Sequence, residues 1–230
     1  MKNKKHIYLI ILYCFLSVAA NAQQKDWTQI NRYEQDNKRL SQEPNNGKRI
    51  VFLGNSITEG WVNKHPDFFT SNQYIGRGIS GQTSYQFLAR FREDVINLHP
   101  ALVIINAGTN DVAENTRPYN EDYTFGNIVS LVELARANKI KVILTSVLPA
   151  GGFSWNPSIT NASAKIQSLN AKIKEYAKVQ KLPYVDYYSA FKNGDNALNQ
   201  VYTQDGVHPT LEGYLVMEPL IQTAIKKIVK

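Results

Sequence analysis

Three short apolar runs, Arg49 to Leu53, Ala101 to Ile105 and Lys141 to Val147, punctuate the chain, each bounded by polar or glycine-containing segments. Runs of this length, apolar throughout, suit strands buried on both faces of a parallel sheet. Gln73 to Ile75 and Leu182 to Asp186 are weaker candidates, giving a sheet of about five strands. Between the strands the spacing changes to that of a helix. Tyr85 to Asn97 is one such segment. Asn120 to Asn138 gathers Ile128, Leu131, Val132 and Ala135 on one face, and Ala164 to Gln180 gathers Ile166, Leu169, Ile173 and Tyr176. A last helix, Leu211 to Val229, follows Pro209-Thr210 and is expected to turn Leu215, Leu220, Ile221, Ala224, Ile225 and Ile228 toward the sheet. Strands alternating with helices predict one α/β domain, a three-layer α/β/α sandwich on a central parallel sheet with right-handed crossovers.

The N-terminal region departs from this pattern. Lys2, Lys4 and Lys5 precede an apolar stretch from Ile7 to Val18, and Ala20-Asn21-Ala22 suits signal peptidase. Residues 1–22 therefore read as a signal peptide cleaved between Ala22 and Gln23, with an exported protein, periplasmic or secreted, as the expectation. The run is shorter than the roughly 20 residues that cross a bilayer, so no stable membrane insertion is expected after cleavage. Residues 23–47 are polar and close on Pro44-Asn45-Asn46-Gly47, which predicts an N-terminal helix or arm ended by a turn, with the domain proper at 48–230.

Composition narrows the classes of function. Cys14, inside the expected signal, is the only cysteine, so residues 23–230 must stand on a hydrophobic core without disulfides. A domain of this size buries roughly 70% of the surface of its unfolded chain and needs no such staple. The formal charge of +7 falls to +4 when the three lysines of the signal leave, 23 basic against 19 acidic residues. The rest are scattered at helix-surface spacing, which does not favour a nucleic-acid partner.

Chemistry concentrates in four segments: Gly54-Asn55-Ser56-Ile57-Thr58, Gly78-Ile79-Ser80-Gly81, Gly108-Thr109-Asn110-Asp111 and Asp205-Gly206-Val207-His208-Pro209. The first three fall just past the carboxyl ends of expected strands, where open α/β sheets bind ligands. The fourth lies before the last helix, on a connection able to bring an imidazole over the same edge. Ser56 is a candidate nucleophile needing a base, or alternatively a helix N-cap. His208 is the candidate base, and its spacing of three from Asp205 lets the carboxylate receive the Nδ1 proton while Nε2 faces the serine. The backbone amides of Ser56 and Gly81 and the side chain of Asn110 are candidate oxyanion donors. Asn110-Asp111 also reads as an Asx-type cap on the following segment.

Trp61, Tyr85 and Trp155 are candidate substrate-binding residues, and with Phe153 and Tyr202 they would form a sugar platform in a non-catalytic carbohydrate-binding module. Gly76-Arg77-Gly78-Ile79-Ser80-Gly81 meets a dinucleotide fingerprint, but the following strand ends in Asn106-Ala107-Gly108 without the expected acid. Phosphate binding at the loop after the first strand, through Asn55, Ser56 and Thr58, would suit a flavin and leave Asp205 and His208 unexplained. Neither a His-Glu-x-x-His motif nor a cysteine pair is present, so no metal and no cofactor are expected. Gly-x-Ser-x-Gly is absent too, against an α/β-hydrolase elbow.

From about Lys48 onward the chain resembles the SGNH, or GDSL-type, hydrolase superfamily of esterases and lipases, whose four blocks are matched in order by the segments of Ser56, Gly81, Asn110 and Asp205/His208. The resemblance implies a flavodoxin-like sheet and metal-free ester hydrolysis through Ser56, Gly81, Asn110 and His208, with Asp205 completing a triad. Asn55-Ser56-Ile57 stands where Asp-Ser-Leu is commoner, which weakens assignment to a true lipase branch. With export, it points to a serine esterase acting on short O-acyl groups, acetyl on carbohydrates first, with lysophospholipid or other acyl esters as alternatives. The partner is then a small-molecule or glycan ester.

Overall fold

In the computed structural model, which describes residues 26–229, the apolar runs become five parallel strands: β1 (Ile50–Gly54), β2 (Tyr74–Gly78), β3 (Leu102–Ile105), β4 (Lys141–Thr145) and β5 (Tyr184–Val185). The expected signal peptide lies outside the described residues. The strands lie in the order β2-β1-β3-β4-β5, with Leu53 level with Arg77 on one side and Ile105 on the other. This is the flavodoxin-like order. Chain direction across the sheet reverses between β1 and β3, so their carboxyl ends open the crevice at which such folds bind ligands.

Alternate side chains of each strand enter different cores, as the pleat requires. Val51, Leu53, Val103, Ile105, Val142 and Leu144 meet α4 (Ser84–Asp94), α6 (Glu121–Ala137) and α7 (Ala162–Val179) through Phe87, Phe91, Ile128, Leu131, Ile166 and Leu169. On the other face Ile50, Phe52, Leu102, Ile104 and Ile143 meet α2 (Ser56–Lys64), α3 (Pro66–Asn72) and α9 (Leu211–Ile228). Burial on both faces is why the strands read as unbroken apolar runs. Three further helices are α1 (Glu34–Gln42), α5 (Thr109–Val112) and α8 (Tyr187–Phe191).

Several expectations need correction. In α9 the buried positions are Gly213, Tyr214, Met217, Ile221 and Ile225, whereas Leu215 and Leu220 are 47% and 37% exposed. Tyr214 fixes the helix rotation, because its hydroxyl donates to the Ile57 carbonyl at 2.8 Å and its ring stacks on Trp61. β2 extends through Gly76-Arg77-Gly78, so the glycine fingerprint lies largely inside a strand. Its glycines serve packing: a Cβ on Gly78 would come within 2.2 Å of the Glu59 backbone nitrogen, so β2 can approach the start of α2 only without a side chain there. β5 is shorter than its apolar run because Pro183 offers no N–H and Asp186 leaves the strand to cap α8, accepting from the Ser189 N–H at 3.0 Å.

Residues 26–47 form a 3₁₀ turn (Ile30–Tyr33), α1 and a turn in which Asn45 Oδ1 accepts from the Gly47 N–H at 2.9 Å. α1 packs beside the edge strand β2: the Arg77 guanidinium, buried, donates to Asp36 at 2.7 Å and to Asn37 at 2.7 and 3.1 Å. No helix among the described residues is long and apolar enough to cross a membrane.

Candidate active site

β1 ends at Gly54 and the chain turns directly into α2. Asn55, fully buried, is the N-cap: its Oδ1 accepts from the Ile57 N–H at 3.0 Å. Ser56 is thus the first helical residue, where the N–H has no partner within the helix, and its side chain is left for another task. Ser56 Oγ lies 2.8 Å from His208 Nε2. The capping alternative for Ser56 is corrected by this geometry.

His208 is placed by a short turn. Asp205 Oδ1 accepts from the backbone N–H groups of Val207 and His208 at 2.9 and 2.8 Å, and Oδ2 accepts from His208 Nδ1 at 2.6 Å. Gly206 has φ +81°, which a side chain would resist. Burial works to raise the Asp205 pKa, but the amides of His208 and Val207 and the imidazole itself outweigh it and hold the carboxyl down to about 2. With Nδ1 donating to this carboxylate, Nε2 is the acceptor for the Ser56 hydroxyl. Thr203, buried, secures the turn from below: its hydroxyl donates to the His208 carbonyl at 2.8 Å and accepts from the Gly206 N–H at 3.0 Å.

The candidate oxyanion residues sit on the neighbouring loops. Gly81, with φ +79°, follows β2; a Cβ there would meet nothing nearer than Asn115 Nδ2 at 4.0 Å, so conformation, not crowding by the protein, calls for glycine. Asn110 lies buried in α5 and its Nδ2 donates one proton to the Gln82 carbonyl at 2.9 Å; the second amide proton finds no acceptor among the described residues. Asp111 does not cap the segment that follows it. Its carboxylate crosses to the start of α4, accepting from the Ser84 N–H at 3.0 Å and the Ser84 hydroxyl at 2.6 Å. Burial pushes this carboxyl upward in pKa against those hydrogen bonds.

The aromatic candidates separate. Trp155 is 44% exposed, its ring centre 6.1 Å from that of His208, and its Nε1 donates to Asn115 Oδ1 at 2.8 Å, while Asn115 Nδ2 donates to the Gly81 carbonyl at 3.1 Å. Trp61 is a correction: at 2% exposure it is stacked between Phe68 and Tyr214, because its place one helical turn after the buried Ile57 on α2 directs it, like Ile57, toward the sheet. Phe153 is likewise buried, and Tyr202 packs on Phe191. Tyr85 is half-buried between Trp27 and Tyr123. His65, partly exposed, pairs with Glu218, whose Oε1 lies 2.6 Å from Nδ1.

Gln82, Asn115 and Thr203 hold the site together, and none stood out in the sequence. Only Thr203, two residues before Asp205, carried a local signal, the hydroxyl turn. The groove of about 950 Å³ between α1 and β2 does not include Ser56 or His208, which are both partly buried. No grouping of His, Cys, Asp and Glu suited to a metal ion occurs among the described residues.

The sequence model of the GDSL-like lipase/acylhydrolase family matches residues 52–216. The chain belongs to that family. The crystal structure of a GDSL-like lipase from Bacteroides thetaiotaomicron VPI-5482 is 65% identical to this family member, with a TM-score of 0.86 over 88% of this chain and 99% of that one. An acetylxylan esterase of Geobacillus stearothermophilus is 27% identical over 204 residues, which cover 74% of this chain and 90% of the relative. An N-acylneuraminate cytidylyltransferase of Escherichia coli O18:K1:H7 is 26% identical over 210 residues. That match takes in 89% of this GDSL-like chain but 47% of the transferase, so the chain spans about half the length of that relative.

Proposed function

We propose that this GDSL-like protein is an exported serine esterase that removes short O-acyl groups, acetyl first among them, from carbohydrates through an acyl-enzyme. The observation that carries the reading is the relay Ser56 Oγ–His208 Nε2 at 2.8 Å and His208 Nδ1–Asp205 Oδ2 at 2.6 Å. In the first half-reaction the Ser56 hydroxyl attacks the ester carbonyl as Nε2 takes its proton. Asp205, ionised throughout the neutral range, stabilises the imidazolium that forms. The amides of Ser56 and Gly81 and the free Asn110 amide proton receive the oxyanion, each such donor contributing about 10²- to 10³-fold. His208 then protonates the departing alcohol, and water repeats the steps on the acyl-enzyme.

The sugar part of the reading is supported by the exposed Trp155 indole beside His208, since an accessible ring face next to the reacting groups suits a pyranose, and by the acetylxylan esterase among the relatives. Ser56→Ala should abolish turnover of p-nitrophenyl acetate with the circular dichroism spectrum unchanged. Retained turnover would reject the nucleophile. Rates on acetyl to decanoyl esters, set beside acetate release from acetylated xylo-oligosaccharides, test the substrate: a rise in kcat/KM with chain length and no acetate release would reject the carbohydrate reading in favour of a lipid ester.

A further inference from the structure

Residues 26–33 reach the loop after β2 and the elements on either side of it through Trp27, Thr28, Arg32 and Tyr33. The Tyr33 hydroxyl donates to the Gly78 carbonyl. Arg32 lies 2.9 Å from Glu59 Oε1, and Glu59 Oε2 accepts from the Ser80 N–H at 2.9 Å and from the Ser80 hydroxyl. The Thr28 carbonyl accepts from Gln82 Nε2 at 2.6 Å, and the Trp27 carbonyl from Gln86 Nε2 at 2.5 Å. Asp26 shapes the arm itself, its carboxylate accepting from the Thr28 and Ile30 N–H groups at 3.0 and 2.9 Å.

Gln82 is where these contacts meet the site. It is fully buried, and each of its polar groups is used: Nε2 on the Thr28 carbonyl, Oε1 by Arg90 Nε at 2.6 Å, and its backbone carbonyl by Asn110 Nδ2 at 2.9 Å. Arg90 in turn donates to the carbonyls of Gly54 and Arg77, at the ends of β1 and β2, both at 2.9 Å. The loop needs such support. Residues 79–82 carry few backbone bonds of their own, Ile79 N–H to Gly54 and a long Gln82 N–H to Ile79 at 3.3 Å, and include the conformationally free Gly81. Donors aimed at a developing charge act only when held in place before the reaction.

We propose that residues 26–33 are a positioning brace for the oxyanion donors Gly81 N–H and Asn110 Nδ2, acting through Gln82. The inference rests on the esterase reading above. Gln82→Glu keeps shape and the acceptor for Arg90 but sets an oxygen against the Thr28 carbonyl in place of an N–H. Tyr33→Phe removes one hydroxyl remote from substrate. Because a small misplacement of reacting groups costs up to about 100-fold, Gln82→Glu should lower kcat on p-nitrophenyl acetate by about 10- to 100-fold and Tyr33→Phe by about 3- to 10-fold. KM should stay within about twofold, and affinity for an acetyl-mimicking boronic acid should fall in step with kcat/KM. Wild-type kcat in folded Tyr33→Phe and Gln82→Glu, with only Tm reduced, would overturn the brace, as would a rise in KM at constant kcat. If Gln82→Glu does not fold, Tyr33→Phe decides. Failure of the esterase reading has a different signature: wild type and Ser56→Ala would then turn over the ester alike.

Discussion

A single carboxylate, Asp205, both folds a turn and orients the His208 imidazole, and its ionisation links the two roles. A carboxyl held below its unfolded pKa of about 3.9 stabilises the folded state above that value, and the contribution is lost as pH falls through the folded value. For Asp205 the folded value is about 2, so the loss runs from about pH 4 down to about pH 2. The Tm of Asp205→Asn should lie below wild type near pH 6 and converge on it toward pH 2, as thermal melts across that range will show; a gap that widens in acid would contradict the sign. Asn110 belongs to the same scale. With one amide proton spent on Gln82 and one left over, Asn110→Ala should lower kcat by about 10²- to 10³-fold with little change in KM, whereas a KM effect alone would make it a substrate-binding residue. Asp205 and His208 were legible because their partnership is local, three residues apart. Gln82 and Asn115 were not, because Gln82 meets its arm partner across 54 positions and Asn115 meets Gly81 across 34.

Elements carry the site by their close approach. β2 and the N-terminus of α2 touch at Gly78, where a Cβ would strike the Glu59 nitrogen, so Gly78→Ala must push apart the strand and the helix that presents Ser56. Overpacking of this kind costs about 1–3 kcal/mol, and activity should fall with it. Gly126 offers the contrast: inside α6, with open space where a Cβ would stand, Gly126→Ala should raise stability by about 0.5–1 kcal/mol and leave kcat unchanged, both read from urea melts and ester turnover. The same glycines explain why β2 was only partly legible, since Gly76 and Gly78 imitate a turn while serving a packed strand. Trp61 and Trp155 show the limit for aromatics. One is stacked in the core on the helix face of Ile57, and the other stands in solvent beside His208, on a turn whose sequence carries no periodic signal of which way a side chain faces.

At the scale of the molecule, one sheet serves two cores. Ile104 and Val103, neighbours in β3, face opposite layers, so neither layer can open without exposing the strand both depend on. Ile104→Ala should cost about 2–5 kcal/mol, yet urea unfolding should remain a single transition with an unchanged m-value; two separated transitions would mean the layers unfold independently. β1, β3 and β4 were legible for the same reason, because burial on both faces leaves no polar alternation to confuse the pattern.

Ser56 and His208 are separated by 152 positions, and the turn that carries His208 leads directly into α9, whose Tyr214 hydroxyl bonds the Ile57 carbonyl beside Ser56. A chain emerging in order from a ribosome thus holds Ser56 without its imidazole partner until His208 has followed. If the relay proposed above is what cleaves esters, hydrolysis must wait for that late arrival, and esters met during synthesis are spared until the two groups are joined.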